Sequence, residues 1–105
     1  MMRILFFCPR WGAETEPWPD FCRRVKAAGY DGVETSLPLG DRARTDSILT
    51  ALADQGLELV AQHWETADAD FGRHRDEYGR RLAWLAAARP CFINSQTGRD
   101  WFSFE

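Results

Sequence analysis

Glu34, Gln62, His63, Asn94 and Gln96, with Trp11, are the residues whose types and places could do chemistry together. Each stands at or just beyond the end of a short apolar run, and the runs recur at the spacing of a strand–helix unit. In repeated units of that kind, functional side chains collect at the C-terminal ends of the strands and in the loops that follow. A carboxylate, an imidazole and three side-chain amides offer hydrogen bonds at fixed angles, which suits a polyol or sugar. Trp11 or Trp64 could stack on a sugar face. Each candidate has a plainer reading. Glu34 could bind a backbone N–H or a nearby arginine, His63 could be a satisfied structural histidine, and Asn94 and Gln96 could shape their loop. His74, between Arg73 and Arg75, reads as part of a solvated helix face.

The elements that must position these residues follow from the pattern. Ile4–Cys8 is a continuous apolar run closed by Pro9, as in a strand buried on both faces. Trp18, Phe21, Cys22 and Val25 recur at helical spacing, Pro17 and Pro19 fit a first helical turn, and Gly29 fits a left-handed cap. Residues 32–36 read as a second strand. A second helix is expected to be capped by Thr45 or Asp46, to bury Ile48, Leu49 and Leu52, and to end at Gly56. A third strand lies within 57–64. A third helix carries Phe71, Tyr78, Leu82 and Leu85 on one face and stops at Pro90, and a fourth strand covers 91–95. Residues 101–105 read as the first turn of a further helix. The order is β-α-β-α-β-α-β with a helix stub, an α/β class of four parallel strands and three helices in one domain, 1–105. Strands are expected near 3–8, 32–35, 58–63 and 91–94. The junctions Ala28–Glu34 and Gln55–Val60 resemble each other weakly, as an internal repeat would.

Composition narrows the function. The 105 residues carry a formal charge of -3, and twelve of the thirteen basic residues are scattered arginines, so no general attraction to nucleic acid is expected. Three widely spaced cysteines in apolar runs argue against a disulfide framework or zinc site and are expected to be buried thiols. The five tryptophans are expected mostly in the core. No apolar stretch is long enough for a membrane helix, and the N-terminus lacks the features of a signal peptide, so a cytoplasmic location is expected. The phosphate-loop, dinucleotide, zinc-protease and serine-hydrolase signatures are all missing.

Ala27-Ala28-Gly29-Tyr30-Asp31-Gly32-Val33-Glu34 resembles the junction before the second strand in the xylose-isomerase-like barrels. Ala61-Gln62-His63-Trp64 is similar to their polar third strand end. Residues 92–102 resemble the fourth strand and loop of the sugar phosphate isomerase/epimerase subgroup. The resemblance spans essentially the whole chain. It implies the (βα)4 N-terminal half of a TIM barrel, with Glu34, His63 and Asn94 facing substrate. It further implies a divalent metal and proton transfer next to a carbonyl, but the family's metal and acid/base residues come from later strands. No cofactor is therefore expected in this chain alone and no metal ligand is assigned, although a third-strand histidine of the nuclease branch gives His63 a subsidiary claim. Four strands cannot close a barrel, so the chain is expected to self-associate, most simply as a homodimer pairing edge to edge. It could take a small sugar ligand, without strong catalysis of its own. The alternative is an isomerase or epimerase subunit whose site is completed by a second copy or a separate C-terminal half.

Overall fold

A local accounting of backbone groups explains where each helix begins and ends. α1 (Trp18–Ala27) starts after Pro17, which takes the cap position, with Pro19 in the first turn, where its missing N–H leaves nothing unsatisfied. α2 (Arg42–Asp54) is capped by Asp41, whose carboxylate accepts the Arg44 N–H at 3.0 Å, and not by Thr45 or Asp46 as the sequence suggested. Thr45 is buried instead, and its hydroxyl donates to the Pro38 carbonyl at 3.3 Å. α3 (Phe71–Ala87) is capped in the same manner by Asp70 through the Arg73 N–H. The computed structural model describes residues 1–99, so the expected helix stub, with Trp101, lies outside the described residues.

α1 and α2 finish alike, which is the physical content of the weak repeat. Gly29 and Gly56 take left-handed conformations, with φ of 92° and 63°. The next residues, Tyr30 and Leu57, donate back to the Val25 and Leu52 carbonyls at 3.3 and 2.9 Å. These bonds satisfy carbonyls that a helix end would otherwise leave open. After α3 the equivalent left-handed position falls on Arg89, at φ 53°, directly before Pro90. A side chain there is strained by roughly 1 kcal/mol. Arg89→Gly is therefore expected to stabilise the fold by about 0.5–1 kcal/mol, less the backbone entropy that glycine adds to the unfolded chain. A urea midpoint below that of the wild type would count against this.

Four strands alternate with the helices: β1 (Phe7–Pro9), β2 (Gly32–Thr35), β3 (Glu58–His63) and β4 (Phe92–Ser95). They form one sheet in the order β1-β2-β3-β4, and every neighbouring pair is parallel. This is the α/β fold expected from the sequence, in the arrangement of a (βα)4 half-barrel. The first strand is shorter than the apolar run implied. β1 pairs only from Phe7 onward; at Phe6 the carbonyl accepts the Asp31 and Gly32 N–H groups at 2.8 and 3.3 Å, while the Phe6 N–H donates to the Asp31 carboxylate at 2.8 Å.

The pleat sends alternate residues to opposite faces. Val33, Leu59 and Ala61 pack with Phe21, Cys22, Val25, Ile48, Leu52 and Leu85 of the helices, with Cys8 and Ile93 at the margin of that core. The opposite face carries Phe7, Gly32, Glu34, Val60, Gln62, Phe92 and Asn94, by the strand register. The helices thus cover one face of the sheet. The two edges of the sheet are not buried on both faces as the apolar runs suggested: Ile4 and Phe6, just before β1, and Phe92 on β4 are 65%, 63% and 62% exposed. Other expectations need the same correction. Of the cysteines only Cys22 is buried, Cys8 being half-buried and Cys91 exposed. Trp18 and Trp84 pack against the core, but Trp11 and Trp64 are exposed. Phe71 stands out in solvent at the start of α3 while Leu85 seals its other end.

Candidate functional site

The C-terminal ends of the four strands surround an open cavity of about 370 Å³. Trp11, Glu34, Gln62, His63, Asn94 and Gln96 all line it, joined by Trp64 and Arg99. All six residues picked out from the sequence by strand-end position therefore border one space.

Their side chains do not all meet there. Glu34 on β2 and Asn94 on β4 reach across the intervening β3, and the Asn94 amide donates to a Glu34 carboxylate oxygen at 2.8 Å. Register explains the contact: Glu34 sits opposite Val60, and Asn94 opposite Gln62, all on the face away from the helices. Gln62, between them, is buried. Trp11 and Trp64 stand exposed beside the opening. Arg99 is anchored by donating to the Trp64 carbonyl at 3.1 Å. Sequence reasoning did not select Arg99, although its place in the loop after β4 was a usable signal.

His63 has the opposite parity. It shares its strand face with Leu59 and Ala61 and is 1% exposed. Nε2 lies 2.7 Å from the Thr66 hydroxyl, Nδ1 lies 3.1 Å from the Ser95 hydroxyl, and the ring meets Tyr78 edge-on at 4.5 Å. The Tyr78 hydroxyl also bonds to Ser95. Burial holds the imidazole below its ordinary pKa, partly offset by Glu65. His63 thus borders the cavity with both ring nitrogens already bonded, and its imidazole ties β3 to β4 and α3.

Among the described residues, no group of three or more His, Cys, Asp or Glu side chains is placed to hold a metal ion. Glu34 is the single carboxylate among the described residues lining the cavity, and one of its oxygens is committed to Asn94. The set suits hydrogen bonding to hydroxyls, with one anionic acceptor, amides of both polarities and two indole faces. Among the described residues no helix is long and apolar enough to cross a membrane.

No family model, curated protein or solved structure matches the chain.

Proposed function

We propose that the chain is a half-barrel of the sugar phosphate isomerase/epimerase type, one that self-associates across its open sheet and has little catalytic power by itself. The observation that carries this reading is the sheet: four parallel strands in sequential order, helices on one face, and β1 and β4 as edges. An edge strand presents unpaired N–H and C=O groups, and closing the sheet with a second copy removes both edges together. The exposed Ile4, Phe6 and Phe92 add apolar area that such an assembly would cover. Fold and assembly then form one cooperative unit, so thermal stability rises with protein concentration. Sedimentation across a wide concentration range is expected to show a dimer that persists at micromolar concentration. A well-folded monomer under those conditions would overturn the reading.

The rim cavity favours a second reading, in which a second copy or a separate C-terminal half completes a sugar site. Glu34 and Asn94, already hydrogen-bonded to each other, would form one side of it. The exposed indoles of Trp11 and Trp64 give that reading a fluorescence signal on titration with pentoses and hexoses.

A further inference from the structure

Arg10 is a buried cation that the rim cavity does not use. It follows β1 directly and is 9% exposed. Its guanidinium lies 4.1 Å above the Trp18 ring and 4.6 Å from the centre of Phe21. Nη2 donates to the backbone carbonyls of Glu14 and Glu16. Nη1 is buried with no hydrogen-bond partner among the described residues, and no described carboxylate pairs with the group. A buried charge without a counter-charge is costly, and an unpaired donor adds to the cost. Burial accordingly lowers the Arg10 pKa, against the pull of Glu16.

What Arg10 faces is a second cavity of about 350 Å³, beyond the strand ends on the helix side of the sheet. Arg44 from α2 and Arg81 from α3 line it too, and so does Ser36 from the loop after β2. Two carboxylates share the lining. Glu14 is occupied in accepting the Gly12 N–H at 3.0 Å, and Glu65 accepts the Trp64 N–H at 2.9 Å while lying 3.9 Å from Arg81. Arg81 is further tied to Glu77, to which its Nε donates at 3.2 Å, so Arg10 and Arg44 are the guanidinium groups of the lining that no described carboxylate pairs.

We propose that this cavity is a binding site for a tetrahedral oxyanion, phosphate or a small phosphate monoester, held by Arg10, Arg44 and Arg81 with Ser36 as a neutral donor. Guanidinium forks match the oxygens of such an anion in pairs, and a charge-assisted bond is about twice as strong as a neutral one. The anion supplies the counter-charge that Arg10 lacks. The volume falls near the lower end of ligand pockets, roughly 300–1,000 Å³, so a small organic substituent on the phosphate also has room. The site is made by residues other than the Glu34–Asn94 pair and stands whether or not the rim cavity binds a sugar.

Isothermal titration at constant ionic strength tests it, with inorganic phosphate in one arm and methyl phosphate in the other. Saturable binding of phosphate is expected, weakened by added sodium chloride. Methyl phosphate binding as well would place an ester in the site, and phosphate binding alone would restrict it to the free anion; both support the assignment. Arg44 is exposed on α2, so Arg44→Gln is expected to fold as the wild type does and to raise Kd roughly tenfold, the scale of one lost charge-assisted bond. Arg81→Gln gives an independent second variant, and circular dichroism checks the fold of each. Absence of saturable binding in both arms would overturn the proposal. Unchanged phosphate affinity in both folded variants would do so equally.

Discussion

Gly32→Ala is expected to cost about 3 kcal/mol or more, the top of the usual range for overpacking. A Cβ built on Gly32 would lie 2.4 Å from the Glu58 carbonyl oxygen and 2.5 and 2.7 Å from carbons of the Phe7 ring. The ring can turn, since Phe7 is only half-buried at the edge of the sheet. The carbonyl cannot, because Glu58 is the ladder partner of Gly32 and its backbone is part of β3. Relief requires β2 and β3 to separate or β2 to slip, and either breaks the pairing through which Phe7, Gly32 and Glu58 line up across three strands. Small domains have about 5–15 kcal/mol in total, so this is a large fraction of what holds the fold. The damage should reach the rim cavity too, because Glu34 lies two residues further along the same strand. Gly79→Ala is the matched control: nothing lies within 4 Å of the added methyl in the middle of α3, and a gain of about 0.5–1 kcal/mol is expected. Urea midpoints measured on both variants decide the matter, and a Gly32→Ala protein as stable as the wild type would show that the strands are not this close.

The resemblance of Ala27–Glu34 to a family junction pointed to this strand without giving the reason for its glycines. The structure separates two of them. Gly29 is there for a left-handed turn, and Gly32 is there because Phe7 and the Glu58 carbonyl approach so closely. Periodicity and punctuation were enough to place four strands, three helices and their order, because each helix end is marked locally by a proline, a glycine or a capping aspartate. They were not enough to place the first residue of α2. Asp41, Thr45 and Asp46 are all competent caps by type, and the choice among them depends on a tertiary fact, the bond from the Thr45 hydroxyl to Pro38. They also overstated β1. An apolar run reports burial propensity, whereas pairing needs a neighbour, and β1 pairs with β2 only from Phe7 onward.

The site was legible to the extent that position along a strand is legible. Strand ends can be counted, so six lining residues could be named. The face on which each side chain falls depends on register, and a shift of one residue reverses it. That is why Glu34 and Asn94 meet while His63, next in sequence to the cavity-facing Gln62, turns to the helices. Arg10 gave no signal at all. It lies in a loop beside a proline and reads as one more scattered arginine, and only the packing of Trp18 and Phe21 against it makes it a buried cation.

Stability is expected to fall as pH drops from about 7 to 5, with His63 as the main cause. Burial comes first among the influences on its imidazole and lowers the pKa. Glu65 and Glu77 pull it up, while Arg81 and His74 push it further down. The unfolded chain has an ordinary histidine, with a pKa near 6.5. Below that pH the unfolded state binds a proton that the folded state refuses, so the stability present above pH 6.5 drains away as the pH falls toward the folded value. One proton can give a slope no steeper than about 1.4 kcal/mol per pH unit. Glu14, Glu16 and Asp68 are held below the ordinary carboxylate range by their hydrogen bonds, so they titrate beneath this window. His63→Gln keeps a donor and an acceptor for Thr66 and Ser95 but cannot titrate. It is expected to be less stable than the wild type at pH 8 by about 1–3 kcal/mol, through imperfect pairing of the fully buried Thr66 hydroxyl. It should also lose most of the dependence on pH between 7 and 5, so that the two proteins converge in acid. Urea unfolding at several pH values measures both effects. If the variant kept the wild-type slope, the proton would belong to a group other than His63. If the wild type showed no slope, the imidazole would be reached by water and could not be the buried tie between β3, β4 and α3.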